Sequence, residues 1–197
     1  MGMTIAVNGK GGTGKTTVAG LIIGYLSSQK PRSLLAVDAD PNSTLAEILG
    51  MKAGQTMVGV VDETAKHMEN LPAGMTKDRF IELKVQEAVA EAEGLDLLVM
   101  GKPEGPGCYC YVNSVLRNVL GGVTKSYDFV VIDNAAGMEH ISRRTERAID
   151  KFILVSDYSV MGIRSSVRIY ELAREMNLKL GGTFLIVNKV SGPLDVL

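Results

Sequence analysis

Gly9-Lys10-Gly11-Gly12-Thr13-Gly14-Lys15-Thr16-Thr17 fits the spacing of a loop that cradles phosphate and carries an additional lysine at its entrance. An apolar run, Met3 to Asn8, precedes it, and Val18, Leu21, Ile22, Tyr25 and Leu26 follow at helical spacing. The order is therefore strand, loop, helix. Glycines let the backbone curl with N–H groups inward, and the helix adds the positive end of its dipole, so a polyphosphate meets ready donors. Lys15 is then placed to hold the β- and γ-phosphates and Thr16 to ligate Mg²⁺. The competing reading, a glycine-rich turn that only tightens a strand-to-helix junction, is disfavoured because both flanks have the required pattern.

Working outward, short apolar runs suited to buried parallel strands recur at residues 33–37, 95–100, 129–133, 152–155 and 183–188. Helical patterns lie between them, such as Ile81, Val85, Ala88, Val89 and Ala92, and later Ile163, Val167 and Tyr170. This alternation predicts an α/β fold with a doubly wound, mostly parallel sheet, flanking helices and ligand sites at the carboxyl ends of the strands. Residues 50–75 are the least legible stretch, either a short helix and loop near the nucleotide or a plain surface excursion. No internal repeat or long Pro/Gly linker divides the chain, so residues 1–197 are expected to form one domain. The composition, 46% hydrophobic and 22% charged, is ordinary for a globular protein. A formal net charge of −1 gives no basic footprint for nucleic acid, and no apolar run approaches the length of a membrane span. With no signal peptide ahead of the first strand, a cytoplasmic protein is expected.

Lys10 narrows the family. Lys10-Gly11-Gly12-Thr13-Gly14-Lys15-Thr16 resembles the deviant P-loop of the ATPases that include the MinD/ParA partitioning proteins, the nitrogenase iron protein and several metallocluster-assembly factors. The resemblance implies an ATP-dependent homodimer in which Lys10 reaches across the interface to the partner's nucleotide. It would stabilise charge in trans, as an arginine finger does elsewhere. Read without the resemblance, Lys10 is a solvated loop lysine.

Three strand ends supply the remaining chemistry. Asp38-Ala39-Asp40-Pro41-Asn42 follows the second strand and resembles a switch I segment. The resemblance gives Asp40 the task of orienting or deprotonating the attacking water and puts Asp38 nearer the Mg²⁺ shell; an Asp-Pro turn is the plainer reading. Val130-Val131-Ile132 runs into Asp133, as a Walker B strand must if its carboxylate is to emerge beside Mg²⁺. Helix capping by Asp133 is the alternative. Gly137, in the loop that follows, is placed to offer an N–H to the γ-phosphate, so this loop looks like switch II. The last apolar run leads to Asn188-Lys189, and in related ATPases an asparagine there bonds the adenine. An ordinary turn is the competing reading of this pair. Relatives normally continue into a further strand, so this chain is either a natural short form or a domain truncated at its C-terminal end, with Leu194 and Leu197 reading as an interrupted core segment.

Both cysteines fall in Gly107-Cys108-Tyr109-Cys110-Tyr111, after a Gly- and Pro-rich approach. A bridge between residues so close is strained and a cytoplasmic setting disfavours it, so ligation is the functional reading. Two thiolates are half of a tetrahedral set, which a two-fold dimer would complete with the symmetry-related pair. Burial as two small hydrophobes is an equal alternative on composition alone. The Cys-Tyr-Cys segment, its Gly-Pro-Glu-rich approach and Gly137-Met138-Glu139-His140 resemble the nickel-insertion accessory ATPases of carbon monoxide dehydrogenase over essentially the whole chain. That resemblance implies ATP hydrolysis coupled to Ni²⁺ or Zn²⁺ held by Cys108 and Cys110, with carbon monoxide dehydrogenase as client. Glu139 and His140 read as a relay or auxiliary ligand, or more plainly as the polar start of a helix; His67 reads as a surface residue. A partition or positioning ATPase without metal delivery, an iron-sulfur electron donor and a scaffold that binds nucleotide without turnover are the alternative functions.

Overall fold

The computed structural model describes residues 2–29, 33–66, 72, 74–102, 126–136 and 148–191. Every expected strand forms: β1 (Met3–Gly9), β2 (Leu34–Ala39), β4 (Leu95–Val99), β5 (Phe129–Asn134), β6 (Ala148–Asp157) and β7 (Lys179–Asn188), joined by a short additional strand, β3 (Ala90–Ala92). They make one seven-stranded sheet in the order β3-β4-β2-β5-β1-β6-β7. All pairings are parallel except β3 with β4. The chain leaves β1 toward β2 on one side, while β6 and β7 build outward on the other. Strand order therefore reverses at β1, the place where an open α/β sheet leaves a crevice beyond its carboxyl edge.

Each face of the sheet has its own apolar cover. Helices α1 (Lys15–Ser28) and α2 (Leu45–Leu49) lie on one face, where Val18, Ala19, Ile23 and Leu45 pack on Ile5, Val7, Leu34, Ala36 and Val131. Helices α3 (Met57–Lys66) and α4 (Lys77–Glu87) cover the other, with Met57, Val61, Ile81 and Val85 against Leu35, Val37, Leu98 and Val130. Helix α5 (Val160–Glu175) continues that layer over Ala6, Phe152 and Leu154. Alternate residues of β2 serve the two layers, which is why its sequence reads as an unbroken apolar run and not as an alternation.

Several expectations need correction. The helical pattern extended from Ile81 to Ala92 breaks at Glu87: Ala88 is the C-cap and Ala92 belongs to β3, whose antiparallel turn at Gly94 (φ +73°) reverses the chain into β4. Of the helical pattern in α5, Tyr170 packs on the core while Val167 is exposed, as are Leu21 and Tyr25 on α1; Gly162, Ser166 and Ala173 are buried beside Ile169 and Tyr170. Small residues allow the helix close to the sheet, and a count of apolar positions cannot see that. Within residues 50–75 the helix α3 is not a surface excursion, since Met57, Val58, Val60 and Val61 are core residues. β6 and β7 each extend further toward the N-terminus than their apolar runs, because pairing continues with Ala148, Ile149 and Lys151 against Lys179, Leu180 and Gly182. Among the described residues no helix is long and apolar enough to cross a membrane.

Among the described residues Phe152 is the largest fully buried side chain, and it sits under α5. Its truncation would leave a cavity between sheet and helix, so Phe152→Ala should lower stability by about 3–5 kcal/mol, measured from the midpoint of urea unfolding with the slope unchanged.

Candidate functional site

Four chain segments meet at the carboxyl edge of the sheet. Gly9 closes β1 with φ +153°, and a side chain there would collide with the Val155 carbonyl of β6, so only glycine lets the two strands approach as the loop departs. Gly14, at φ +94°, is the N-cap of α1, and a Cβ on it would strike the side-chain amide of Asn188. Between them Gly11 and Gly12 are exposed while Thr13 is buried, its Oγ1 donating to the Lys10 carbonyl at 2.9 Å. Lys15 is also buried, and its Nζ donates to the same carbonyl at 3.3 Å. Lys10 itself is exposed at the mouth of the loop, with Thr16 and Thr17 opening α1.

The parallel register places the two central carboxylates side by side. Asp38 of β2 is the register partner of Asp133 of β5, which in turn pairs with Val7 of β1. Both are fully buried. Asp38 is satisfied: Oδ1 accepts from the Asp40 N–H and Oδ2 from the Leu45 N–H at 2.9 Å, so it organises the turn from β2 into α2. Burial nevertheless raises its pKa, offset in part by those bonds. Asp40, one turn further out, accepts from both the backbone and side-chain N–H groups of Asn42 through Oδ1.

Asp133 has neither of these supports. Among the described residues neither of its carboxylate oxygens has a hydrogen-bond partner, and burial pushes its pKa up to about 6, reinforced by the charges of Asp38 and Asp40. The Thr16 hydroxyl and Lys15 pull it back down without completing a hydrogen bond to either oxygen. Buried carboxylate oxygens without partners are costly unless a cation or donor meets them. A hydroxyl, two carboxylates and an adjacent phosphate cradle suit Mg²⁺, which takes few protein ligands and keeps water and phosphate in its remaining positions. The residues fit the ion. Among the described residues no group of three His, Cys, Asp or Glu is arranged as an all-protein metal cage.

The far side of the loop is closed by β7. Asn188 Nδ2 donates to the Thr13 carbonyl at 2.9 Å, and Lys189 Nζ donates to the Gly12 carbonyl at 2.6 Å. Lys189 went unassigned in the sequence reading although it adjoins Asn188. Its signal was the pair itself, at the end of a strand two places from β1. Asp157, the register partner of Asn188, is a second addition: its carboxylate accepts from Ser159, the N-cap of α5, and feels the positive charges of Lys10 and Lys189, all of which hold its pKa low. Gly137, Glu139, His140, His67, Cys108 and Cys110 lie outside the described residues. Ala136, the last described residue before Gly137, already stands against Gly11.

With this geometry, the similarity to known proteins is informative. A family model described as an AAA domain matches residues 2–181. An uncharacterized ATP-binding protein of Methanocaldococcus jannaschii is 46% identical over 99% of this chain and 78% of its own length. The carbon monoxide dehydrogenase accessory protein CooC of Rhodospirillum rubrum is 31% identical over 98% of this chain and 77% of its own. Among solved structures, a ParA family ATPase from Chlorobium tepidum superposes with a TM-score of 0.67, covering 96% of this chain and 75% of that one, at 19% identity. That likeness concerns the fold.

The unsupported Asp133 carboxylate has a measurable consequence without any ligand. Its pKa rises from 3.8 to about 6 on folding, so the fold holds a proton that the unfolded chain has lost between these values. This contribution to stability is full below about pH 4, is lost as pH rises through about 6, and becomes a charge-burial penalty above it. Asp133→Asn removes the penalty. In EDTA at pH 8 the variant should melt about 5 °C above the parent chain, with the gap closing toward pH 4 by circular dichroism; equal melting at pH 8 would mean the carboxylate is solvated.

Proposed function

This chain belongs to the AAA-domain P-loop ATPases of the ParA/MinD family, and on that premise we propose that it is a maturation ATPase that assists nickel insertion into carbon monoxide dehydrogenase. The observation that carries the finer reading is Cys108-Tyr109-Cys110 in a chain similar to CooC over nearly its whole length. A positioning ATPase has no need of paired thiols, whereas a metal carrier does. In this reading Cys108 and Cys110 of two subunits hold Ni²⁺ or Zn²⁺ as cargo, soft ligands that suit both ions.

The nucleotide chemistry follows from the residues at the carboxyl edge. Inward N–H groups of residues 9–16 bind the phosphates, with Lys15 leaving the Lys10 carbonyl to meet them. Thr16 and Asp133 would hold Mg²⁺, with Asp38 behind them, and the ion when bound supplies stabilisation of phosphate charge. Asp40 orients the attacking water, its carboxylate kept in place by Asn42. Exposed Lys10 acts on the nucleotide of the partner subunit, so turnover requires a homodimer. Closure around ATP brings the cysteine pairs together and reopening releases the metal. The two equilibria are then linked, each ligand favouring the closed dimer.

Native mass spectrometry in nickel-supplemented anaerobic buffer tests the cargo site. One metal per dimer is expected, and none in the Cys108→Ser/Cys110→Ser variant, which should still bind ATP; unchanged nickel stoichiometry in that variant would reject the assignment and favour the positioning reading. Asp40→Ala should slow phosphate release at least roughly a hundredfold while ATP-bound dimers persist. Normal turnover would remove Asp40 from the mechanism.

A further inference from the structure

The turn from β6 into α5 presents three large apolar side chains to solvent. Tyr158 is 63% exposed, Val160 67% and Met161 59%, and only Ser159, the N-cap of α5, interrupts them. Single apolar residues are ordinary on a protein surface, whereas three within four positions make a patch.

The turn that carries this crest is tightly determined. The Asp157 carboxylate accepts from the Ser159 N–H at 2.9 Å and from the Ser159 hydroxyl, and Ser159 Oγ accepts from the Gly162 N–H at 3.0 Å. Gly162 presses back on the end of β6, where a Cβ would collide with Asp157 and Ser156. The inward place of this first helical turn is therefore taken by a glycine, and the apolar groups on either side of the cap are held outward. A surface already ordered in this way loses little further entropy when it is covered.

Its location indicates what covers it. Gly9 is the register partner of Val155, so Lys10 leaves β1 beside the strand end that carries the crest, and its charge reaches Asp157. Lys10 is exposed and has no ion-pair partner among the described residues. An apolar crest with a cation at its margin complements a surface where protein borders polyphosphate. The carboxyl edge of a second copy, loaded with nucleotide, is such a surface, and two-fold symmetry gives each copy both halves of the contact.

We propose that Tyr158, Val160 and Met161 form the apolar contact between this chain and a second copy, the two seated edge to edge when ATP is bound. The inference rests on reading Lys10 as acting on the partner's nucleotide, and it adds the surface that keeps the subunits together while that lysine acts.

Sedimentation velocity with a non-hydrolysable ATP analogue and Mg²⁺ tests it. The parent chain should dimerise, and Val160→Glu/Met161→Glu should weaken the dimer at least roughly a hundredfold by burying charge without a partner. Glutamate suits the first turn of a helix, so the variant should fold, with its melting checked by circular dichroism. Met161→Ala, which adds no charge, should weaken the dimer about tenfold. Analogue binding at protein concentrations too low for dimers should be the same in all three chains, and turnover per subunit should rise with protein concentration in the parent but not in the double variant. Dimers equally tight in parent and variants would overturn the proposal and leave the reading of Lys10 standing. A parent chain that stays monomeric with the analogue at every concentration would reject action on a partner's nucleotide, and the crest as its contact with it.

Discussion

A loop that gathers backbone N–H groups around one point leaves its carbonyls in need of partners of their own. Here that requirement organises much of the carboxyl edge. The carbonyl of Lys10 is met from within the loop by Thr13 and Lys15, and those of Gly12 and Thr13 from outside by Lys189 and Asn188. The outside partners are available only because β7 runs parallel to β6, and β6 parallel to β1, so that all three strands end at the same edge. The shape of the loop is thus a property of the sheet. Neither the glycines nor the dipole of α1 would fix it alone.

The same edge concentrates unbalanced charge. Asp38 and Asp133 are neighbours in register and fully buried, yet among the described residues only Asp38 has donors for its oxygens. Backbone N–H groups of Asp40 and Leu45, in the turn from β2 into α2, reach the Asp38 carboxylate, whereas no donor among the described residues reaches Asp133 in β5. A site that leaves one carboxylate without partners is poised for a cation, at some cost to the ligand-free fold. The exposed cations Lys10 and Lys189 stand with Asp157 on the β6 side of the loop.

Much of this was legible in the sequence, for reasons that also explain what was not. Strands of a parallel sheet covered on both faces are continuous apolar runs, so β2, β4 and β5 could be read almost to the residue. The loop was legible because its glycines answer a local need, shown by Gly9 and Gly14. What escaped depends on partners distant in the chain. β3 exists because Ala90 to Ala92 pair with β4, and nothing in three small and acidic residues announces that. The inward face of α5 mixes Ile169 and Tyr170 with Gly162, Ser166 and Ala173, three residues that carry almost no apolar signal. Lys189 looked like a surface lysine because its partner, Gly12, lies far from it in the sequence.

Metal handling and nucleotide state need a physical connection if one is to govern the other, and the path into the cysteine segment begins at the site. β4 pairs with β2, and where it ends the Met100 N–H donates to the carbonyl of Asp38 at 2.8 Å. Met100 O in turn accepts from the Val58 N–H, and Gly101 turns at φ +80° tightly over Thr56 at the start of α3. The chain leading to Cys108 and Cys110 therefore departs from a point tied on one side to the Asp38 carbonyl of β2 and on the other to a helix packed into the core. A shift of Asp38 with the bound nucleotide would bear on Gly101 through the Met100 N–H, because a Cβ at Gly101 would already collide with Thr56, which leaves that turn little room to give.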